Sequence, residues 1–346
     1  MVSLFGALCF CSIFCFCKSW LLAQCGLNET YRILHLSTHF DRVFLSISVK
    51  NEKFPTLVET QWPDKYLPSL KPILYPNQQA HANGVHSECG RIQQAVWSQV
   101  DSLSRLWVMD IGWPGNSSTD RHRCNPKLLV FDLIRNNIEV SRIDCSQFLR
   151  TDVDSSKILD IGLGPRVSPC DSEKFIYFIV SYDSRLLTYD ILEQKWHNVL
   201  LSSKKYSTIN DFLPIKPRDL TFGNRGEMWL SDEDGKLYRG PNIFHNSTQA
   251  NCDAIEMILM GSLLGPTRGL MMDSNGVLFY VVSKFGAVVR CEHTHDITAE
   301  NSEIIYMTSK NIQQIFFGSE DSVWLLSDRW LRPHDQCISG YSMIPT

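Results

Sequence analysis

The sequence lacks an excess of positive charge. Its 33 Lys and Arg residues are outnumbered by 37 Asp and Glu residues, for a formal net charge of -4, so a nucleic-acid-binding role has little support. No GxSxG, HExxH or P-loop motif occurs, which removes the usual signatures of serine hydrolases, zinc proteases and nucleotide-binding enzymes. Helical periodicity is scarce and no low-complexity linker divides the 346 residues. We therefore expect a single folded domain, and we expect no cofactor, no metal and no nucleic-acid partner.

A short apolar segment opens the chain. Residues 2–17 are apolar or weakly polar, Lys18 interrupts the run, and residues 20–23 resume it. The run is shorter than the roughly 20 residues that a membrane span needs, and it fits the apolar region of a secretory signal. We predict a signal peptide over residues 1–23, cleaved after Ala23, and a secreted, extracellular protein without membrane contact after cleavage. The alternative is an uncleaved anchor flanked by Lys18.

Twelve cysteines favour an oxidising compartment over the cytosol. Four of them lie in the predicted signal peptide, and the eight others form no CxxC pair, so their spacing indicates no zinc site. An even number in a secreted chain indicates disulfides, although spacing alone does not choose among the many pairings. Three Asn-x-Ser/Thr sequons predict glycosylation on exposed loops of a secreted chain. These sequons begin at Asn28, Asn116 and Asn246.

Short β-type runs rich in Val, Ile, Leu, Phe, Tyr and Trp recur along the chain, and most are followed by a polar turn and a second such run. They begin near residues 43, 106, 176, 228, 278 and 323. Spacings of roughly 45 to 70 residues bracket the blade length of propellers. Asp234-Gly235 is a hairpin signal inside the fourth repeat. We predict an all-β, six-bladed β-propeller that forms a single domain over residues 24–346; a pair of two-sheet sandwiches is the alternative.

Two neighbouring segments carry a family resemblance. Residues 105–112 read RLWVMDIG and residues 124–133 read CNPKLLVFDL, and together they resemble paired strands of the insect yellow and major royal jelly protein family. Residues 273–280, 287–291 and 322–329 are similar to later strands of that family, in the same order. The resemblance spans roughly residues 40 to 332 and implies a secreted six-bladed propeller, in agreement with the count of repeats.

The chain departs from the family pattern at Ser102, where the family usually has cysteine, and at Glu292, where it has tryptophan. It is therefore identified as a divergent member. The resemblance implies disulfide bonds at Cys124 and Cys170. Cys89 is the expected partner of Cys124, and Cys252 or Cys291 is the expected partner of Cys170.

Few residues form a recognisable chemical site. His293 and His295 are a weak metal pair with no second cluster nearby, so exposed histidines are the favoured interpretation. Asp232 to Gly235 is explained more simply as a hairpin turn than as a calcium loop. The recurring aromatic residues are expected to pack between blades rather than to form a ligand cage. These aromatic residues are Trp107, Trp229, Trp324 and Phe279.

A propeller binds ligands where its inner strands and their loops converge, which selects residues near the ends of those strands. The candidates are Asp110, Arg218, Asp219, Thr267, Arg268, Ser283 and Phe285. The resemblance implies small-amine binding in some relatives, and here Asp219 and Phe285 would hold an amine. Arg218 and Arg268 would instead favour an anionic or catechol-type ligand. The alternative is that both arginines are structural and pair with carboxylates of the blades.

Three functions remain open. The first is a role in an extracellular matrix such as cuticle or eggshell, in structure, maturation or pigmentation, with matrix proteins as partners. The second, implied by the resemblance, is a dopachrome-conversion enzyme of melanin synthesis, which needs a proton donor and acceptor near a bound ring; no such pair is identified. The third is a binding protein for a small aromatic amine or catechol. We favour the first and expect no strong dopachrome conversion.

Overall fold

The fold was analysed in a computed structural model. It describes residues 31–49, 56–61, 72–82, 88–112, 124–147, 158–166, 173–181, 184–204, 212–240, 254–292, 294–295, 297–317 and 323–327. Several predictions fall outside these ranges: the signal peptide, the sequons at Asn28, Asn116 and Asn246, and the residues Cys170, Cys252 and His293.

Almost all regular structure in the described ranges is β-strand, which confirms the all-β prediction. A 3₁₀ turn at Gln78–Ala80 is the exception there, and no described helix is long and apolar enough to cross a membrane. The described strands form five sheets, one of which has nine strands. When that sheet is divided at its one parallel pairing, the strands fall into six consecutive antiparallel sets. The first three sets are β1 (Tyr31–His39), β2 (Arg42–Val49), β3 (Leu57–Gln61) and β4 (Ile73–Leu74); β5 (Ala95–Val100), β6 (Arg105–Asp110), β7 (Lys127–Asp132) and β8 (Ile138–Asp144); and β9 (Ile158–Leu163), β10 (Phe175–Val180), β11 (Arg185–Asp190), β12 (Lys195–Lys204) and β13 (Phe212–Pro214).

The remaining sets follow in the same order along the chain. They are β14 (Pro217–Phe222), β15 (Met228–Asp232), β16 (Lys236–Arg239) and β17 (Ala254–Ser262); β18 (Thr267–Met272), β19 (Leu278–Val282), β20 (Ala287–Cys291) and β21 (Glu303–Met307); and β22 (Ile312–Phe317) with β23 (Val323–Ser327). The third and fourth sets are joined, because the long strands β12 and β17 pair in parallel from Leu200 and Ala254 onward.

Aspartates close the turns between strands. Asp101 accepts hydrogen bonds from the backbone N–H groups of Leu103 and Arg105, at 3.0 and 2.8 Å. Asp273 repeats this arrangement with Asn275 and Val277, at 2.9 and 2.8 Å. A short carboxylate that captures nearby backbone donors is what favours aspartate at such turns.

The predicted hairpin at Asp234-Gly235 is confirmed. Asp232 accepts from the backbone N–H groups of Asp234 and Lys236, at 3.0 and 2.8 Å. Gly235 has a φ of +80°, which glycine adopts without the strain of a Cβ atom.

The core lies between neighbouring sets of strands. Six buried clusters each join two sets, and one of them joins the first set to the last by grouping Val43 and Leu45 with Leu326. The side chains of Trp107, Trp229 and Phe279 are buried, as predicted, whereas Trp324 is half-buried. The sets therefore pack as a propeller-like ring, and their apolar contacts supply the main stabilisation.

A disulfide bond joins Cys89 to Cys124, with an S–S distance of 2.02 Å. It confirms the expected bond at Cys124 and the hypothesis that Cys89 is its partner, in place of a cysteine at position 102. The bond links the segment before β5 to the segment before β7, and its two cysteines lie 35 residues apart in the sequence. A crosslink of this kind contributes about 2–4 kcal/mol, mainly by restricting the unfolded chain.

Candidate functional site

The first strand of each set lines the centre of the ring. These inner strands are β1, β5, β9, β14, β18 and β22, and each packs beside the next. Each contains a bulge near its start, where it pairs with the second strand of its own set. The bulge residues are Leu34, Val96, Leu159, Arg218, Arg268 and Gln313. In β18 the irregularity also involves Gly269, since Arg268 and Gly269 both lie between the paired residues Thr267 and Leu270.

The residue after the bulge ties its strand to the next one. In four inner strands its side chain accepts a hydrogen bond from a backbone N–H of a neighbouring inner strand, and the last of these joins β22 to β1. The pairs are His35 with Ser98 at 3.5 Å, Asp160 with Leu220 at 2.9 Å, Asp219 with Gly269 at 3.1 Å, and Gln314 with Leu36 at 3.0 Å.

The two other junctions use different side chains. In β5 and β18 the residue after the bulge is Trp97 and Gly269, respectively, and neither has a side-chain acceptor. Between β5 and β9, Gln99 Oε1 accepts from the backbone N–H of Leu163 at 3.2 Å. Between β18 and β22, Arg268 Nη1 donates to Gln313 Oε1 at 3.4 Å. The described inner strands are thus linked all the way around by side-chain hydrogen bonds.

Asp219 is the most heavily bonded of these side chains. Its Oδ2 accepts from Thr267 Oγ1 at 2.5 Å and from Ser231 Oγ at 3.4 Å, and the two hydroxyl oxygens lie 2.6 Å apart. Asp219, Ser231 and Thr267 are all buried. Buried polar groups that satisfy one another in this way stabilise the junction, so the sequence candidates Asp219 and Thr267 do lie together.

Asp160 was missed by the sequence interpretation. Burial raises the pKa of the Asp160 carboxyl to about 8; the charge of Asp219 acts in the same direction, and hydrogen bonds from the backbone of Leu220 and Ile161 oppose it. The residue nevertheless keeps some exposure and is half-buried rather than fully enclosed. The inner strand β9 therefore carries a carboxyl group whose surroundings favour its protonated form. The available signal was an aspartate within the otherwise apolar strand β9.

His35 was also missed. Burial lowers the pKa of His35 to about 3, and the hydrogen bond with Ser98 opposes this shift only weakly. Its ring lies 5.9 Å from Trp97 and its Nε2 atom lies 3.2 Å from Gln314 Nε2. His35 is therefore neutral at physiological pH.

Arg218 and Arg268 come together with Asp219 and Thr267, because β14 and β18 are neighbours. Arg218 Nε donates to the backbone oxygen of Thr267 at 2.5 Å. Among the described residues, neither arginine forms an ion pair with a carboxylate. The alternative pairing with carboxylates of the blades is thus not observed among the described residues. The Asp219 carboxylate accepts instead from Thr267, Ser231 and the backbone of Gly269.

Asp110 and Phe285 do not join this group, whereas Ser283 lies beside it, next to the residue that precedes Thr267. Asp110 is buried in the second set, where it pairs with Lys127 at 2.9 Å and accepts from the backbone N–H groups of Gln93, Gln94 and Gly112. Ser283 donates its backbone N–H to Pro266 at 3.3 Å. Phe285 lies on the same β19–β20 turn and is 56% exposed, so it provides no enclosed aromatic wall.

The described part of the chain holds no cluster of three or more His, Cys, Asp or Glu side chains that could bind a metal. Asp232, Glu233 and Asp234 form the hairpin turn described above, with Asp232 engaged in closing it.

Comparison with known sequences matches residues 94–214 to the family described as major royal jelly protein. The chain is 27% identical over 137 residues to a Drosophila melanogaster dopaminechrome tautomerase, covering 37% of this chain and 28% of the relative. It is 21% identical over 246 residues to Apis mellifera major royal jelly protein 7, covering 66% of this chain and 54% of the relative. The chain thus spans less than two thirds of either relative.

Among solved structures, the chain is similar to virginiamycin B lyase from Staphylococcus aureus, with a TM-score of 0.47 and 11% identity over 86% of this chain and 78% of the lyase. It is also similar to a putative gluconolactonase, with a TM-score of 0.49 and 13% identity over 88% of each chain.

Proposed function

Starting from its place as a divergent member of the yellow and major royal jelly protein family, we propose that this chain is an extracellular matrix protein. It acts in a cuticle, an eggshell or a similar layer, in structure, maturation or pigmentation. One observation carries the proposal: the polar side chains at the centre of the ring are engaged in joining neighbouring strands. Polar side chains that form these hydrogen bonds stabilise the fold rather than catalyse a reaction.

Two features support an extracellular location. Residues 2–17 have the apolar character of a secretory signal. The Cys89–Cys124 disulfide suits an oxidising compartment.

The proposal includes a closed, six-bladed propeller. Six sets of strands and six buried clusters support the number of blades. The two hydrogen bonds between the Gln314 amide and the backbone of Leu36, at 3.0 and 2.9 Å, support closure between the last set and the first.

The test is expression of the full chain in cultured insect cells, followed by immunolocalisation of the endogenous protein in the source tissue. We expect a secreted protein whose amino terminus follows Ala23 and which is retained in an insoluble extracellular layer. A control chain lacking residues 1–23 should stay in the cells. Retention of the full chain in the cytosol, or an endogenous protein found wholly in soluble fluid, would contradict the proposal.

A second candidate function is the tautomerisation of a dopachrome-type compound. It is favoured by the similarity to a dopaminechrome tautomerase and by Asp160, whose raised pKa leaves a proton available at neutral pH. In this scheme Asp160 donates its proton to an oxygen of the bound ring, and the carboxylate that forms then accepts the proton released from a ring carbon, so that no net proton is gained. The test compares dopaminechrome decay by Asp160→Asn with decay by Asp144→Asn, a matched change at an exposed aspartate. Loss of measurable activity in the first variant alone would favour this candidate.

A further inference from the structure

The six bulge residues differ in character between the two halves of the ring. The first three sets contribute Leu34, Val96 and Leu159, and the last three contribute Arg218, Arg268 and Gln313. Leu159 is 38% exposed, and the other five are half-buried. One half of the bulge ring is therefore apolar and accessible, and the other half is polar and carries two positive charges.

These residues lie at one end of the ring. Each bulge occurs near the start of its inner strand. The hydrogen bond from the residue after one bulge to the neighbouring inner strand recurs and holds the inner strands in a similar register. Examples are the bonds between Asp160 and Leu220 and between Gln314 and Leu36. We call this end, defined by the six bulge residues, the bulge mouth.

The two arginines keep donors available. A guanidinium group has five N–H donors, whereas Arg218 uses its Nε for the Thr267 oxygen and Arg268 uses Nη1 for Gln313. Neither forms an ion pair within the described residues. Partly buried guanidinium groups without a carboxylate partner fit an anionic ligand through charge-assisted hydrogen bonds.

The surrounding charges also favour a negatively charged ligand. The Asp219 carboxylate is occupied by Thr267, Ser231 and Gly269. The raised pKa of Asp160 favours the neutral form of that carboxyl. The two arginine charges therefore exceed the negative charge beside them.

We propose that the bulge mouth binds a small amphipathic carboxylate. The apolar body of the ligand packs against Leu34, Val96 and Leu159, and its carboxylate accepts hydrogen bonds from Arg218 and Arg268. Apolar contact and a paired charge on opposite sides of one opening select a molecule that carries both features. A small amine is disfavoured because its charge would face the two guanidinium groups. This binding is independent of the proposed matrix role.

The first experiment is isothermal titration calorimetry at pH 7 with three probes. Indole-3-acetate has an apolar ring and a carboxylate, tryptamine replaces the carboxylate with an amine, and acetate lacks the ring. We expect indole-3-acetate to bind at least about tenfold more tightly than either other probe, since one charge-assisted hydrogen bond accounts for a factor of that size. Equal or tighter binding of tryptamine, or no binding of indole-3-acetate at millimolar concentration, would overturn the proposal.

Variants then assign the two halves. Arg268→Gln removes a charge and Leu159→Ser removes apolar surface, and each should weaken indole-3-acetate binding about tenfold. The matched controls are Arg135→Gln and Leu192→Ser, at exposed positions of turns away from the mouth, and both should bind as the parent does. Thermal melting establishes that each variant is folded. Unchanged affinity in folded Arg268→Gln, or equal weakening in its control, would show that the ligand does not bind at this mouth.

Discussion

Ser102 donates both its backbone N–H and its hydroxyl to the carboxylate of Glu173, at 2.9 Å each. The contact joins the β5–β6 turn to the segment that precedes β10. Ser102 is also the position at which the family usually has cysteine. The chain therefore holds two neighbouring sets of strands together here with a charged hydrogen-bond pair.

Loss of this contact should destabilise the protein. Ser102→Ala removes the hydroxyl bond and should lower the free energy of unfolding by about 0.5–1.5 kcal/mol, because Ser102 is exposed and water competes for the contact. Urea denaturation gives the measurement. Ser274→Ala is the matched control, because Ser274 follows Asp273 as Ser102 follows Asp101 and both serines are exposed. Equal stability of the two variants would show that the Glu173 contact contributes nothing.

The hydroxyl of Thr267 should matter for the junction between β14 and β18. Thr267→Val keeps the shape of the side chain but leaves Asp219 Oδ2 without its shortest hydrogen bond. We expect a loss of about 1–3 kcal/mol in unfolding free energy, because a buried acceptor loses its partner. Thr221→Val, on the same inner strand as Asp219 and half-buried, should cost less than half as much. A cost for Thr267→Val no larger than that of the control would contradict the assignment.

His35 should make the protein less stable in acid. Its pKa in the folded state is lowered from 6.5 to about 3, so the unfolded chain binds the proton more readily below pH 6.5. The stability that neutral His35 provides is present above pH 6.5 and is lost as pH falls toward 3. His35→Gln should flatten this part of the stability curve, whereas His295→Gln, at an exposed position, should leave it unchanged. Identical pH profiles for parent and His35→Gln would refute the prediction.

Asp160 should act in the opposite direction. Its folded-state pKa is raised from 3.8 to about 8, so the folded protein holds the proton that the unfolded chain releases. The stability contribution is full below about pH 4 and is lost as pH rises to about 8. In Asp160→Asn the decline in unfolding free energy over this pH range should disappear. The variant should also be less stable than the parent at acidic pH, because the amide has one acceptor oxygen where the carboxyl has two. Asp144→Asn is the control, and a decline that persists in Asp160→Asn would argue against the shift.

Much of the fold could be predicted from local sequence. The runs around Trp107, Trp229 and Phe279 have strand composition, and Asp234-Gly235 has the chemistry of a hairpin, so both were identified without the structure. The resemblance to the family indicated a disulfide bond at Cys124, and Cys89 was inferred as its partner because Ser102 stands where the family usually has cysteine. These features depend on residues close in sequence or on a known pattern.

The ties around the ring could not be predicted in this way. Whether Asp160 or His35 meets the next inner strand depends on a bulge that shifts the register by one residue, and a shift of one residue changes the face on which a side chain lies. The parallel pairing of β12 with β17 likewise joins segments distant in sequence. The sequence likewise does not show that Asp219, next to Arg218 in the chain, is engaged by Thr267 of the neighbouring inner strand.

The central claim is that the polar groups of the inner strands hold the ring together and do not catalyse a reaction. Dopaminechrome decay, measured with purified secreted protein at pH 7 against a heat-denatured sample, tests it most directly. The account predicts that the two rates are indistinguishable. A rate well above the denatured control that falls in folded Arg268→Ala or Asp160→Asn, but not in Arg135→Ala or Asp144→Asn, would contradict it.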